Sequence, residues 1–239
     1  MDLSCDGEII SHIRDVPSTY IRKSTILFGI SGTGKTVIIK HLLNILKDDI
    51  PIVTVFAPTD DPDDKDSYSK IVPPRCIIRN LDVATSKMYK IINRQKEAKS
   101  VYNRANNLET LEKLYNRNRT PKLEMLRTKT EQYFAETIQN IERANMTVDE
   151  RKIKLEEILE MKNNNLIQIY KTGIRMFKDS LLVNENITEP EKYAIQYLNH
   201  NPNFLIIFDD CLAEIKKWGK DDSIKKLFFQ GRHSFITTM

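Results

Sequence analysis

The chain of 239 residues is short of glycine, cysteine and long apolar runs. Glycine occurs 7 times, and between residues 82 and 182 only Gly173 is present. Lys, Arg, Glu, Asn and Leu dominate that stretch, a composition that favours long helices. The three cysteines, Cys5, Cys76 and Cys211, lie far apart with no C-x-x-C spacing. That spacing argues against metal or disulfide roles and for reduced thiols in a cytosolic setting. No apolar run approaches the roughly 18 residues of a membrane helix, so no membrane span is expected. The opening residues are acidic rather than basic, and no signal peptide is visible. Charge of one sign is also scarce: the net charge of +4 permits nucleic-acid binding without implying it.

Against this background one stretch stands out. Gly29-Ile30-Ser31-Gly32-Thr33-Gly34-Lys35-Thr36 reads G-x-x-x-x-G-K-T, the phosphate-binding P-loop. The apolar run Ser24–Phe28 before it predicts a strand, and the helical spacing after it predicts a helix over about 35–47. Glycines let successive N–H groups curl towards one anion, and the helix N-terminus adds partial positive charge. In this pattern Gly29, Ser31, Gly32, Thr33, Gly34, Lys35 and Thr36 hold the nucleotide. Lys35 faces the β/γ-phosphates of ATP, and the Thr36 hydroxyl is placed for Mg²⁺.

A second chemical signal lies about 175 residues downstream. Phe204-Leu205-Ile206-Ile207-Phe208 is continuously apolar, as a strand covered on both faces would be, and Asp209-Asp210 follows at its carboxyl end. Ligands of open α/β sheets bind at that end. Asp209 is assigned to the Mg²⁺ shell and Asp210 to the catalytic acid that orients or deprotonates water. Near the end, Phe235–Met239 reads as a further strand. Arg232 and His233 precede it, at the end opposite the nucleotide. Arg232 is a candidate for acting on a neighbouring subunit or on DNA, with a structural role as the alternative, and His233 reads as structural.

Elsewhere the signals are local. A short helix is expected around Glu8–Ile13, and a buried strand over Ile50–Phe56. The acidic loop with Asp60, Asp61, Asp63, Asp64 and Asp66 lacks the EF-hand glycine and glutamate, and reads as solvated. Thr147–Glu150 and Thr188–Glu191 are capping boxes that open helices, the first kinked or ended near Asn163–Asn165. Pro121 interrupts the helical stretch. Between 82 and 130 basic residues exceed acidic ones, with Tyr89, Tyr102 and Tyr115 interleaved. A nucleic-acid surface is one reading of this segment. A solvated helix face with tyrosines packed inward is the simpler one.

The combination of Gly29–Thr36, Ala57-Pro58-Thr59, Ile71–Pro74, Asn201-Pro202, Leu205–Cys211 and Lys226–Thr237 resembles the poxvirus-type DNA-packaging ATPases of the nucleocytoplasmic large DNA viruses. These belong to the FtsK/HerA-like branch of P-loop ATPases. The resemblance covers about 24–78 and 195–239. It implies an α/β P-loop NTPase of the additional-strand type, with a mainly parallel sheet and a long helical insertion. The expected division is 1–80 and 191–239 for the ATPase core and 81–190 for the insertion. The resemblance further implies ATP and Mg²⁺ as cofactors, double-stranded DNA, a homo-oligomeric ring and a viral capsid as partners, and the host cytoplasm (viral factory) or the virion as location. Family members continue past the strand near Phe235 into a polar sensor and an arginine-containing segment. This chain ends at Met239, so it reads as C-terminally truncated, with exposed apolar surface expected where the next helix would pack. A P-loop small-molecule kinase, or a nucleotide-binding interaction protein without turnover, are the alternatives.

Overall fold

The computed structural model describes residues 3–5, 8–10, 15–30, 32–183, 186–211, 214 and 217–239, with the backbone alone for 3–5, 8–10 and 223. The chain forms two compact units, Met1–Lys99 with Asn201–Met239, and Ser100–His200. The helix Ala84–Ala105 runs through the first of these divisions.

The first unit is built on a four-stranded, all-parallel sheet. Its strands are β3 (Ile52–Phe56), β4 (Ile77–Ile78), β5 (Phe204–Phe208) and β6 (Ile236–Thr238), in the order β4-β3-β5-β6. Strand alternation decides what each side chain of β5 covers. Leu205 and Ile207 pack with Ile39, Leu42 and Leu46 of helix α1 (Lys35–Leu46). Phe204 and Ile206 pack with Met88 and Ile91 of α2 (Ala84–Ala105), and with Trp218 and with Ile224 and Leu227 of the helix Asp222–Gln230. Helices therefore cover both faces, as a parallel sheet requires. Each fully buried Leu, Ile or Phe here contributes about 1.5–3 kcal/mol relative to exposure. The buried Gln95 amide donates to the carbonyls of Pro202 and Ser234, fixing α2 to the loops at the amino ends of β5 and β6.

Two expected elements differ. The strand over Ser24–Phe28 is reduced to a single parallel bridge, Ser24 with Thr238. That bridge puts β6 between β5 and the segment leading into the loop. Its ladder is Thr25 N–H to Thr238 O at 2.9 Å and Thr238 N–H to Lys23 O at 3.1 Å. Beyond it, Ile26, Phe28 and Ile30 are 71, 89 and 80% exposed. The helix expected from Glu8 is instead strand β2 (Glu8–Ile10), paired antiparallel with β1 (Leu3–Cys5). Pairing overrides local helical spacing there, and residues 11–14 lie outside the described ones.

The second unit is helical. After the end of α2 come α3 (Leu108–Arg117), α4 (Pro121–Arg143), α5 (Val148–Met176), α6 (Lys178–Leu182) and α7 (Glu189–Gln196). Pro121 occupies the first turn of α4, where its missing N–H costs nothing, and the Thr120 hydroxyl accepts from Leu123 N–H. At Thr147 both arms of the capping box form: Glu150 N–H donates to Thr147 Oγ1, and Thr147 N–H to Glu150 Oε2. α5 does not end at Asn163–Asn165. It runs on to Met176, with Asn165 donating back to the Met161 carbonyl along the same helix. Its later turns bury Leu166, Ile169, Tyr170 and Ile174 against Leu111, Leu114 and Tyr115 of α3. This tertiary packing outweighs the poor helix propensity of three asparagines. Tyr115 and Tyr170 meet with ring centroids 5.0 Å apart. Glu191 is almost fully buried and takes a bidentate pair from Arg117, whose Nη2 lies 2.8 and 3.0 Å from its two oxygens.

Candidate functional site

The site grows from the carboxyl ends of β3 and β5 and from the start of α1. Gly32 and Gly34 have φ of 81° and 84°, left-handed conformations that side-chain-bearing residues seldom adopt. Gly34 is the residue from which α1 departs. Lys35 Nζ turns back onto the loop, 2.9 Å from the carbonyls of both Gly29 and Ile30. The Thr33 hydroxyl closes on the Ile30 carbonyl at 2.8 Å. Ser31, the remaining member of the expected nucleotide-holding set, lies outside the described residues.

Asp209 and Asp210 follow β5 directly. Asp209 N–H donates to Phe56 O, continuing the β3–β5 ladder by one residue. Its Oδ2 accepts from the Thr36 hydroxyl at 3.2 Å and from the Tyr68 hydroxyl at 2.8 Å. The structure thus brings Thr36 and Asp209 together. Asp210 leaves the strand with φ of 54°, which swings its carboxylate to the Thr59 hydroxyl at 2.8 Å. A non-glycine residue in this region is uncommon, and such residues cluster at functional sites. Cys211 is buried beneath the pair and its Sγ lies against the Phe56 carbonyl. Burial, then the charges of Asp209 and Asp210, push its thiol up to about 12. It is not poised as a nucleophile.

The β3–β4 connection holds the part of the site that sequence reasoning missed. Asp60, expected in a solvated loop, has a side chain only 4% exposed and pairs with Arg79 at 2.6 Å. Its Oδ1 accepts from Tyr68 N–H and its Oδ2 from Ser67 Oγ. Burial works against the ionised form, but the Tyr68 N–H, Arg79 and Ser67 outweigh it and hold the carboxyl below its ordinary value. Tyr68 is itself buried. Desolvation, and after it the negative charge of Asp209, keep its phenol protonated, so it stays a donor. The missed signal was small: a serine and a tyrosine just after a run of acids, with Arg79 beyond.

Thr36, Thr59, Tyr68, Asp209 and Asp210 line a cavity of about 220 Å³ together with Asp60, Asp61, Asp64 and Asp66. A larger cavity of about 290 Å³ lies in the helical unit between residues such as Tyr133, Phe134 and Met161. It has no carboxylate in its lining, unlike the smaller one. Arg232 is exposed in the turn Gly231–Ser234, before the amino end of β6, and is not brought to this cavity. Its Nε sits 3.3 Å from His233 Nε2. Among the described residues no cluster of three or more His, Cys, Asp or Glu has metal-holding geometry. The oxygen donors of Thr36 and Asp209 fit Mg²⁺ nonetheless, since that ion keeps several waters and takes one or two protein ligands beside substrate phosphates. No helix among the described residues is long and apolar enough to cross a membrane.

Fold and site together define an α/β protein whose parallel sheet carries a G-x-x-x-x-G-K-T loop and an aspartate pair at one edge of a polar cavity. Among known proteins it is similar to African swine fever virus proteins described as "Uncharacterized protein B354L". Those of a Kenyan pig isolate and a Malawian tick isolate are each 32% identical over 242 aligned residues, which cover 97% of this chain. The chain spans 64% of the length of these curated relatives. No family model and no solved structure matches it.

Proposed function

We propose that the chain is the catalytic part of an ATP-hydrolysing motor that drives double-stranded DNA into a viral capsid, a P-loop NTPase of the poxvirus-type packaging family. The observation that carries the reading is the contact between Thr36 and Asp209. A phosphate-loop hydroxyl and a strand-end carboxylate from distant parts of the sequence converge 3.2 Å apart on one cavity. The order β3-β5-β6, with Ser24 bridged beyond β6, supports the additional-strand type. Viral relatives support a virus-infected cell as its setting, where the viral factory or the virion is the proposed location.

In this reading Lys35 leaves the Gly29 and Ile30 carbonyls for the β/γ-phosphates. N–H groups at the start of α1 would face the same oxygens, as unpaired donors of a helix start do. Thr36 and Asp209 would hold Mg²⁺, which when bound neutralises charge on the phosphate oxygens. Asp210 breaks from Thr59 to accept a hydrogen bond from the attacking water. A ring of copies, gripping duplex DNA by its phosphates, follows from the motor assignment.

ATP binding and turnover, measured with and without duplex DNA on the protein and on Lys35→Ala, test the proposal. Losing the lysine removes one partner of a charge pair, about 2–5 kcal/mol. That is roughly 30- to 3000-fold in affinity or rate. DNA-stimulated hydrolysis lost in Lys35→Ala is the expected result. Turnover that depends on a small acceptor molecule and ignores DNA would instead mark a kinase. Binding without turnover would mark an interaction protein, and nucleotide binding unchanged by Lys35→Ala would end the P-loop reading.

A further inference from the structure

Asp209 presents its two carboxylate oxygens unequally. Oδ2 accepts two hydroxyl donors, Thr36 and Tyr68, while Oδ1 accepts none among the described residues. The two donors differ in kind. Thr36 sits on the loop where nucleotide would bind, and its oxygen is the one a cation would claim. Tyr68 is 2% exposed and rigidly seated. Its backbone N–H is fixed 2.8 Å from Asp60 Oδ1, and Asp60 is locked in turn by Arg79. Lys40, from the second turn of the loop's own helix, places its ammonium 5.9 Å from the Tyr68 ring and donates to the Asp66 carbonyl. Tyr68 is thus fixed at its backbone by Asp60 and at its hydroxyl by Asp209, the acceptor of that hydroxyl among the described residues.

We infer that Tyr68 is the positioning residue for the metal-side acid: its buried hydroxyl holds Asp209 Oδ2 and leaves Oδ1 for a cation when Thr36 is drawn to it. The inference rests on the nucleotide-binding reading above and adds a residue to it. The role assigned to Tyr68 runs through Asp209, to which its hydroxyl donates at 2.8 Å. Partners that orient a metal-ligating group in this way are worth about 10- to 100-fold in metal affinity.

Tyr68→Phe keeps the ring in its packing and removes only the hydroxyl. Binding of a non-hydrolysable ATP analogue would be followed by calorimetry while Mg²⁺ is titrated, for both proteins. The expected result is a Mg²⁺ midpoint raised about 10- to 100-fold in Tyr68→Phe, with analogue affinity in the absence of Mg²⁺ unchanged. A merely structural role would raise the midpoint and weaken Mg²⁺-free analogue binding together, and an unchanged or lowered midpoint would equally overturn the inference. Wild-type protein that binds no analogue at any Mg²⁺ concentration would fail differently, removing the nucleotide-binding reading and this inference with it. Thermal midpoints of the two proteins guard against misfolding. Should Tyr68→Phe be unstable, Arg79→Lys, which weakens the lock on Asp60 from outside the cavity, is expected to move the Mg²⁺ midpoint in the same direction, and no movement would again overturn the inference.

Discussion

Thr36 and Asp209 stand 173 residues apart in the chain and 3.2 Å apart at Oγ1 and Oδ2. Their neighbour Asp210, by contrast, is exposed and turned to Thr59. Adjacent acids therefore occupy different environments, and their roles separate by substitution. Asp209→Asn is expected to weaken the Mg²⁺ dependence of nucleotide binding. Asp210→Asn is expected to keep Mg²⁺-dependent binding and lose about 10²- to 10⁴-fold in turnover, the range of a general base. Calorimetry and steady-state rates on both variants check this. Wild-type turnover in Asp210→Asn would remove Asp210 from the mechanism.

The Arg117–Glu191 pair makes the helical unit sensitive to acid. Burial opposes ionisation of Glu191, yet the Thr188 N–H and hydroxyl and the Arg117 guanidinium hold its carboxyl below the ordinary value of 4.5. A depressed folded value means the unfolded chain takes up the proton first as pH falls. The contribution is whole above about pH 4.5 and is lost as pH drops towards the folded value. Arg117→Leu leaves a buried carboxylate without its partner. It should cost about 3 kcal/mol at pH 7, the lower end for such pairs because Arg117 is partly exposed. Denaturant melts at pH 7 and pH 3.5 should show the gap between wild type and variant closing in acid. A gap of equal size at both would refute the assignment.

Gly173 lies where α5 meets Tyr115. A Cβ added there would stand 2.7 Å from Tyr115 Cδ2 and 3.0 Å from Cε2, against a ring that is 1% exposed. Alanine gains about 1 kcal/mol in helix propensity over glycine, but overpacking costs about 1–3 kcal/mol. Gly173→Ala should lower the denaturation midpoint, while Asn164→Ala on the exposed face of the same helix should raise it slightly. A stabilised Gly173→Ala protein would mean the ring moves aside without cost.

The basic stretch of α2 divides into two flanks. Lys87, Lys90 and Arg94 are exposed and spaced three and seven residues apart, so they share one side of the helix, while Lys96 falls towards the other. If the first flank grips duplex DNA, reversing those three charges should flatten the slope of log affinity against log salt by roughly 2–3. Lys96→Glu alone should leave it nearly unchanged. Binding isotherms across a salt series decide this, and an unaltered slope in the triple variant would return the helix to a solvated face.

What the sequence made legible was whatever depends on neighbours in the chain. The capping glutamates Glu150 and Glu191 and the unbroken apolar run of β5 all act within a few residues, and each is found as read, while Pro121, read as an interruption, separates α3 from α4 by standing in the first turn of the latter. The Asn163–Asn165 break failed because α3 packing, set by residues about 50 positions away, outweighs propensity. Asp60 was misread for the same reason: its identity as a buried acid depends on Arg79 and on a turn at Ser67, neither visible as a local pattern. Tyr68 carries no motif at all, and only the closure of the sheet brings it to Asp209.

The strand order has a consequence for how the molecule comes into being. β3 pairs with β5 along its whole length, yet residues 57–203 must be made between them. At about 5–20 residues per second, the ribosome needs some 7–30 s to cover that interval. The helices of Ser100–His200 join mainly to one another, and local contacts of this kind form early. They can settle while β3 still waits for its central partner. The glycine loop emerges early, and Asp209 and Asp210 are made about 175 residues after it. The cavity therefore closes late, and any stall within the helical segment leaves behind the Gly29–Thr36 loop without Asp209 and Asp210.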